Sequence, residues 1–279
     1  MAVDLHTHSR YSDGSDSPSE IVAKAKSIRL SAVALTDHDV LDGVDEAVEA
    51  AGDDIELVPG AELSVQWEGK GMHLLVYWVD HGSPLADRLA EIQLGRVARN
   101  HEMVDALQDL GVDITMAELE AEAEMGVIGR PHFAAILVRK GAAATIKDAF
   151  DIYLAAGRPA YRPRARVEAS AAMELARESG AVPVIAHPHT LADDAEEFTH
   201  LFSGFAELGA VGVECYYVEY PQELRLRIAA AVEDLGLVPT GGSDYHGTYK
   251  PGVALGSGNG DLSVPDSCLD RLKERRPTA

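Results

Sequence analysis

The chain has few of the residues that build disulfide-rich, membrane-spanning or polyanion-binding proteins. Only two residues are cysteines, Cys215 and Cys268, too few for a disulfide framework or a thiolate metal site. No uninterrupted apolar run approaches the roughly 20 residues that a membrane span needs. The first residues turn polar at Asp4, without the basic segment and apolar stretch of a secretory signal. We therefore expect a cytoplasmic protein that does not contact a membrane.

Basic residues are scarce as well. Lysine and arginine number 24 against 46 aspartates and glutamates, which gives a formal net charge of −22. A field of that sign disfavours a long polyanion such as duplex DNA, so we expect no duplex DNA partner. Part of the acidic excess suits a site that holds several divalent cations. Apolar residues make up 46% of the chain, enough for a sizeable core, and no obligate protein partner is evident.

Strand and helix patterns alternate over most of the length. Short apolar runs predict strands at residues 2–5, 31–35, 55–58, 182–186, 210–215 and 237–240. Residues 63–67 and 72–79 are predicted to form a hairpin. Strands that alternate with helices are typical of parallel βα units, in an open sheet or a barrel.

The stretch from residue 85 to residue 166 breaks this rhythm. Its pattern is mostly helical, with a capping box from Thr115 to Glu118, and it contains no convincing strand. We therefore predict two parts, a catalytic domain over residues 1–84 plus 167–279 and a helical insertion domain over residues 85–166.

Histidines and carboxylates recur at the carboxyl ends of the predicted strands. His6 and His8 follow the first strand at the spacing that puts two imidazoles on one face of a strand, and Asp13 lies in the next loop. The later candidates are His38, Glu62, His73, His187, Asp244 and His246. A lone histidine is more often a hydrogen-bonding residue, and a lone carboxylate more often a helix cap. The large number of histidines and carboxylates at strand ends instead predicts a multinuclear metal site. Nitrogen and oxygen ligands suit Zn²⁺, Mn²⁺ or Fe²⁺.

These segments resemble the motifs of the PHP (polymerase and histidinol phosphatase) family, in order, over residues 1–84 and about 167–250. The resemblance implies an α/β fold, a distorted (β/α)7 barrel, that hydrolyses phosphoesters with three divalent metal ions. It implies one ion on His6, His8, Glu62 and Asp244, a second on Glu62, His73 and His187, and a third on Asp13, His38 and His246. In other family members a histidine can stand in place of Asp13.

The segment from Ile128 to His132 resembles the insertion motif of the family branch that acts on nucleotides. That branch includes 3′,5′-nucleoside bisphosphate phosphatases and the exoribonuclease RNase AM. The guanidinium fork of Arg130, held before Pro131, suits a phosphate. The other interpretation is a surface arginine at a helix start.

A second basic feature stands out in so acidic a chain. It consists of Arg158, Arg162, Arg164 and Arg166. Either this run guides an anionic substrate toward the metals, or it is a solvated linker that returns from the insertion to the barrel.

Candidate proton donors to the leaving group are Asp39, His189 and a metal-bound water. Arg130 is expected to assist catalysis as well as substrate binding, and His132 and His189 could contact a phosphate. Asp37 is expected to orient a metal ligand.

The sequence thus predicts a metal-dependent phosphoesterase that removes the 3′-phosphate of 3′,5′-nucleoside bisphosphates and leaves a 5′-nucleotide such as AMP. Three alternatives stay open: a 5′-to-3′ exoribonuclease on short 5′-phosphorylated RNA, a histidinol phosphate phosphatase, and a non-catalytic metal-binding PHP module. For the nucleotide phosphatase the expected partner is a small nucleotide, and for the exoribonuclease it is a short RNA.

Overall fold

A mixed sheet curls almost into a closed barrel. The computed structural model describes residues 2–123, 127–163, 166–191 and 195–277. The strands are β1 (Ala2–Asp4), β2 (Ala32–Leu35), β3 (Glu56–Trp67), β4 (Lys70–Tyr77), β5 (Val167–Glu168), β6 (Val182–Ile185), β7 (Gly212–Tyr217), β8 (Val238–Gly242) and β9 (Val264–Pro265). The sheet order is β8-β7-β6-β4-β3-β2-β1-β9, with β5 beside β3.

The barrel closes where β1 meets β8. The Leu5 amide donates to the Gly241 carbonyl at 3.2 Å, and the Asp244 amide donates to the His6 carbonyl at 2.9 Å. Most neighbours are parallel, but β4 runs antiparallel to both β3 and β6, which distorts the barrel. Seven strands, β1 to β4 and β6 to β8, form the wall. This arrangement confirms the distorted (β/α)7 barrel expected from the sequence.

Helices cover the outside of the barrel and make up most of the segment between β4 and β5. They are α1 (Pro18–Ser27), α2 (Val44–Ala51), α3 (Pro84–Asp109), α4 (Met116–Glu122), α5 (Arg130–Arg139), α6 (Ile146–Ala149), α7 (Ala169–Glu178), α8 (Ala195–Glu207), α9 (Gln222–Asp234) and α10 (Asp266–Glu274). Helix α4 begins with the predicted capping box, in which Thr115 and Glu118 satisfy each other's backbone amides.

Strand β3 differs from the prediction, which placed a strand at residues 55–58 and a separate hairpin strand at 63–67. The two are one continuous strand. Pro59 lies opposite Leu35, the last residue of β2, and pairing with β4 begins at Gly60. A proline is tolerated at this change of partner, and Gly60 is needed because a Cβ there would lie 2.6 Å from the Val76 carbonyl oxygen. Glu62 therefore lies within a strand and not at its end.

Two apolar clusters hold the barrel together. One takes residues from seven strands around the sheet and is therefore the barrel interior, and Leu269 and Leu272 of α10 belong to it. The other packs the outer face of β3, β4, β6 and β7 against α3, α7, α8 and α9, with Phe198, Phe202 and Phe205 at its centre. The predicted metal ligands lie on the barrel that these clusters hold together.

Residues 103–160 have a hydrophobic cluster of their own, which includes Leu107, Phe133 and Leu137. Helix α3 belongs to both parts, since Leu85 and Leu89 pack on the barrel and its later residues on the helical cluster. The Val127 amide also donates to the carbonyl of Tyr11 in the barrel at 3.0 Å. The boundary predicted at residues 85 and 166 stays a prediction. We call residues 85–166 the helical insertion.

Within the described part of the chain, no helix combines the length and the apolar character needed to cross a membrane.

His132 gives the start of α5 a pH-dependent stability. The Gly129 amide donates to its Nδ1 at 3.0 Å, and burial lowers the pKa of the ring. The neutral ring is thus favoured in the folded state. The contribution of neutral His132 to the free energy of unfolding is complete above the pKa of an unfolded histidine, about 6.5. This contribution is lost as the pH falls below that value. When the pH is lowered from about 8 to about 5, we expect the free energy of unfolding to fall more in the wild type than in His132→Gln. Glutamine can accept the same hydrogen bond from the Gly129 amide but does not titrate. Denaturant unfolding of both proteins measures this, and equal losses would contradict it.

Candidate metal centre

The nine side chains predicted as metal ligands form one contiguous cluster at the carboxyl end of the barrel. His6 and His8 directly follow β1, and His38 follows β2, where it bridges to Glu62. His73 lies in β4, next to β3. His187 follows β6, Asp244 and His246 follow β8, and Asp13 comes from the loop before α1. Parallel strands bring their ends together, which is why residues far apart in sequence meet here.

One group surrounds His6 and His8. Their Nε2 atoms lie 3.0 Å apart, and Glu62 Oε2 lies 3.3 Å from His6 Nε2 and 3.2 Å from His8 Nε2. Asp244 Oδ1 lies 3.6 Å and 3.4 Å from the same two nitrogens. The ligand atoms of His6, His8 and Asp244 lie close enough together to hold one divalent cation, and Glu62 Oε2 adjoins both imidazoles.

Glu62 presents its other oxygen to a second group. Oε1 lies 2.8 Å from His73 Nδ1 and 2.9 Å from His187 Nε2. Glu62 and His73 reach each other because residues 64 and 73 are paired across β3 and β4, which places the two side chains on the same face of the sheet. The carboxylate of Glu62 therefore serves two neighbouring groups at once.

Asp13 gathers the third group. Its Oδ1 lies 3.3 Å from His246 Nε2 and 3.7 Å from His8 Nδ1, and its Oδ2 lies 3.6 Å from His38 Nε2. These four side chains offer ligand atoms close enough to share one ion.

The charges of the cluster suit cations. Burial opposes ionisation of Asp13, Glu62 and Asp244, but the surrounding histidines outweigh it and hold each pKa well below its usual range. Burial also opposes protonation of His8, yet hydrogen bonds to Asp244 and Glu62 raise its pKa to about 10. For His38 burial prevails over the nearby carboxylates and lowers the pKa to about 3. A cation that binds His8 must displace a proton, so rising pH favours metal binding.

Two buried atoms support the same interpretation. Asp13 Oδ1 and His38 Nδ1 are shielded from solvent, and their close contacts with His246 Nε2 at 3.3 Å and Glu62 Oε2 at 3.1 Å lack the geometry of a hydrogen bond. Orphaned buried polar atoms are costly unless something else binds them. The donor set therefore fits divalent metal ions.

Residues behind the ligands orient them, and sequence reasoning missed the most important one. Glu214, buried in β7, lies 2.9 Å from His6 Nδ1 through Oε1 and accepts the His187 amide at 2.8 Å through Oε2. The only sequence signal was a carboxylate inside an apolar strand. Hydrogen bonds of this kind set the tautomer and direction of a ligating imidazole.

Asp37 is a positioning residue that acts on the predicted ligand His8 through Ser12. Its carboxylate accepts from the hydroxyls of Ser9 and Ser12, both at 2.6 Å, and the Ser12 hydroxyl lies 3.4 Å from His8 Nδ1. This placement agrees with the expectation that Asp37 orients a ligand.

Three of the six non-glycine residues with positive φ in the described part of the chain lie at or beside the site. Asp39, His187 and Asp244 adopt φ of 55°, 25° and 53°, in the left-handed region that non-glycine residues rarely occupy. Such conformations cost on the order of 1–3 kcal/mol each and persist where the surrounding structure enforces them. The strain turns the side chains of His187 and Asp244 toward the cluster.

The structure does not support Asp39 as a proton donor. Its side chain is fully buried, one oxygen pairs with Arg96, and the other accepts the Ser64 amide at 2.7 Å. An arginine partner favours the ionised carboxylate, which has no proton to give. Asp39 instead ties α3 to the barrel.

The ring of His189 lies beside the predicted ligand His187, with 5.9 Å between the ring centroids. The His189 amide lies 2.9 Å from Tyr220 Oη, and its Nδ1 lies 3.1 Å from the same oxygen. Where that hydroxyl donates to Nδ1 while it accepts the amide proton, the ring proton of neutral His189 is on Nε2. Burial lowers the pKa of His189, which favours this neutral form.

A cavity of about 210 Å³ adjoins the cluster and is strongly basic. We call it the arginine pocket. Its wall combines the predicted ligands Asp13, His38 and His73 with Arg96, Arg99, Arg130, Arg162 and Arg166 and the rings of Phe150 and Tyr161. Arg96 and Arg99, both on α3, were not anticipated. Arg158 is exposed and outside this wall, and Arg164 lies outside the described residues.

His132 does not line the arginine pocket. The ring is buried beneath the start of α5, where its contacts are with the Gly129 amide and with Tyr249, 6.2 Å between ring centroids. This placement gives it a structural role, and direct contact with substrate remains a prediction.

Glu214→Gln tests whether the carboxylate behind the ligands sets metal affinity. The amide is isosteric but supplies only one acceptor oxygen, so either His6 or the His187 amide loses its partner. We expect metal affinity to fall about 10- to 100-fold, the usual effect of losing such a partner. Metal titration followed by elemental analysis measures it. Glu174→Gln, on the exposed face of α7, is the matched control and should bind metal like wild type. Unchanged affinity in Glu214→Gln would contradict the assignment.

Comparison with known proteins agrees with this geometry. Residues 4–156 match the PHP domain family. The chain is 32% identical to a 5′-3′ exoribonuclease from Haemophilus influenzae, over 87% of this chain and 89% of that protein. It is also 32% identical to a 3′,5′-nucleoside bisphosphate phosphatase from Chromobacterium violaceum, over 91% of this chain and 90% of that protein.

A solved structure extends the similarity to the fold. A candidate metal-dependent phosphoesterase from Bifidobacterium adolescentis superposes with a TM-score of 0.85 at 29% identity, covering 99% of this chain and 96% of that chain. The family match spans more than half of the chain, and the relatives cover nearly all of it. The chain belongs to the PHP domain family of metal-dependent phosphoesterases.

Proposed function

We propose that this enzyme removes the 3′-phosphate of 3′,5′-nucleoside bisphosphates and releases a 5′-nucleotide such as AMP. The observation that carries the proposal is the arginine pocket, which shares Asp13, His38 and His73 with the metal cluster. A substrate with two phosphates can then place one at the metals and the other among the arginines. The similarity to a bisphosphate phosphatase supports the same substrate class.

The arginine pocket is short of negative charge. Arg99 is buried, and burial together with Arg96 and Arg130 lowers its pKa to about 10. Its Nε and that of Arg96 make no hydrogen bond within the described residues. Neighbouring guanidinium groups with unused donors are stabilised when a phosphate accepts from them. We infer that the 5′-phosphate binds here.

Aromatic rings give the pocket a second property. The guanidinium carbon of Arg130 lies 5.9 Å from the ring centre of Phe150 and 5.8 Å from that of Tyr161. The rings hold Arg130 in place by cation–π attraction and offer flat surfaces on which a base can stack. A nucleotide satisfies both the basic and the aromatic parts of the wall.

We infer that the cluster holds three divalent ions, Mn²⁺, Zn²⁺ or Fe²⁺, on the three groups of ligands. Bound ions of this kind lower the pKa of a water ligand toward neutrality and stabilise charge on phosphoryl oxygens. The protein's own part is to fix the phosphoester beside them. Arg130 and Arg99 anchor the distal phosphate, and His189 can donate its Nε2 proton to an oxygen of the substrate.

Exoribonuclease activity is a second candidate, and one observation favours it. The cluster also opens into another cavity, of about 270 Å³, which we call the outer cavity, on the side that Lys250 and Tyr249 line. A 5′-phosphorylated RNA could place its first phosphate among the arginines and continue through this opening. The similarity to a 5′-3′ exoribonuclease supports the idea.

Histidinol phosphate fits less well. Its amine is a cation, whereas Asp13 is the one carboxylate among the described residues that line the arginine pocket, and Asp13 also belongs to the metal cluster. Five arginines repel an amine.

The substrate proposal is tested by comparing turnover by Mn²⁺-loaded enzyme of four substrates. Release of inorganic phosphate is measured for adenosine 3′,5′-bisphosphate, 3′-AMP and histidinol phosphate, and release of mononucleotide is measured for a 5′-phosphorylated RNA trimer. We expect the highest kcat/KM for the bisphosphate, and lower values for 3′-AMP because it lacks the 5′-phosphate anchor. A metal-free sample after chelation should be inactive. Preference for the trimer would favour the exoribonuclease, and equal rates with 3′-AMP would contradict the anchor.

Arg130→Met tests the anchor itself. Loss of a hydrogen bond to a charged group costs about 1.5–3 kcal/mol, so KM for the bisphosphate should rise about 10- to 100-fold. For 3′-AMP the same variant should change KM little, since no 5′-phosphate is present. Arg158→Met, exposed and outside the pocket, is the matched control. If both substrates were affected equally, Arg130 would not be the anchor for the 5′-phosphate. Metal content should equal that of wild type.

A further inference from the structure

We propose that Lys250 binds an oxygen of the phosphoryl group held at the metal centre, on the side opposite the arginine pocket. This rests on the proposed function only in requiring that a phosphoryl group binds at the metals. The identity of the nucleotide does not enter.

The outer cavity shows why Lys250 is singled out. Its wall contains predicted ligands from all three groups, together with Pro131, Tyr249 and Lys250. Among the described residues of this wall, Lys250 is the one lysine or arginine. A phosphoryl group at the metals therefore meets arginines in one direction and a single ammonium in the other.

Asp244 holds the Lys250 side chain at the edge of the cluster. Asp244 uses its two oxygens differently: Oδ1 faces the imidazoles of His6 and His8, while Oδ2 faces away from them. Lys250 Nζ donates to Oδ2 at 2.7 Å, and the Tyr217 hydroxyl donates to the same oxygen at 2.8 Å. This contact leaves Oδ1 available to a cation, so the ammonium can stay in place when the metal binds.

The ammonium has donors left over. It carries three N–H groups, of which Asp244 takes one. The Tyr217 hydroxyl lies 3.4 Å away, and Glu219 Oε1 lies 3.9 Å away, beyond hydrogen-bond distance. The Lys250 side chain is 27% exposed. A donor in reach of both the metal ligands and the cavity is suited to a phosphoryl oxygen.

The backbone brings Lys250 to the site together with a predicted ligand. The 3₁₀ turn Gly247–Tyr249 separates it from His246. This turn is held by the Thr248 amide, which donates to Ser15 Oγ at 2.8 Å, and by Tyr249, whose ring packs against His132. The position of Lys250 is thus set by the barrel on one side and by the helical insertion on the other.

The need to orient Asp244 does not by itself explain why residue 250 is a lysine. Tyr217 already donates to Oδ2 and does so without charge. Asp244 lies between Lys250 and the imidazoles of His6 and His8. Its single negative charge does not offset both the ammonium and bound divalent ions, so a further anion is favoured there. A phosphoryl group supplies that anion, and the ammonium then stabilises it in the ground state and as its charge redistributes.

The experiment compares Lys250→Met, Lys250→Arg and Tyr217→Phe, with inorganic phosphate as the probe. Calorimetry measures phosphate binding to the Mn²⁺-loaded protein, and the metal-free protein provides the contribution of the arginine pocket. We expect Lys250→Met to weaken the Mn²⁺-dependent binding about tenfold with unchanged Mn²⁺ content, the loss expected for a charge-assisted bond. Lys250→Arg should retain most of it. Tyr217→Phe removes a donor to Asp244 and the 3.4 Å contact with Lys250 but leaves the ammonium in place, so it should change phosphate binding less than twofold.

Two results would overturn the inference. One is phosphate binding in Lys250→Met equal to wild type. The other is a fall in Mn²⁺ content that accounts for the weaker binding and appears equally in Tyr217→Phe, since Lys250 would then only position Asp244. Lys147→Met, on the exposed face of the helical insertion, controls for loss of a lysine charge. Failure of the bisphosphate assay would remove the proposed substrate but leave this result standing, so the two outcomes are distinguishable.

Discussion

The buried carboxylate of Glu62 is the constraint on which the site depends. It is 1% exposed, and imidazoles of His6, His8, His38, His73 and His187 lie within 3.3 Å of its two oxygens. A carboxylate can be buried at that depth only beside compensating positive charge. The strands that carry these histidines must therefore converge on β3, and the barrel is the fold that lets them do so. Glu214 extends the arrangement outward by fixing His6 and His187.

The charge distribution around that centre follows the needs of an anionic substrate. The chain as a whole is strongly acidic, with a net charge of −22. At the cluster, however, cationic side chains stand on two sides, arginines from α3 and the helical insertion on one and Lys250 on the other. The electrostatic potential inside a cavity is set mainly by the charges that line it, because solvent and salt screen the more distant charges on the surface. The acidic surface thus does not prevent a phosphate ester from binding.

Prediction from sequence succeeded where a local rule applied. The structure brings His6, His38, His187 and Asp244 together, as expected for residues at the ends of parallel strands, and it forms the capping box at Thr115. The role of the four side chains as metal ligands stays a prediction. Prediction was less accurate at Glu62, which lies inside a strand: Pro59 and Gly60 resemble a turn, and only the change of partner from β2 to β4 explains them. Strand β9 and helix α10 were not predicted, since each depends on contacts with β1 and the barrel interior.

The sequence by itself determined the kinds of ligand, their order along the chain and the interruption of the barrel by helices, since these are properties of residue type and period. Tertiary structure decided which groups act together. Arg99 and Lys250 carry no local signal of a role, and they reach the site only through the course of α3 and of the turn after β8. Asp39 looked available in sequence, but folding buried it against Arg96. A side chain's chemistry is set by its neighbours in space, and those neighbours come from distant parts of the chain.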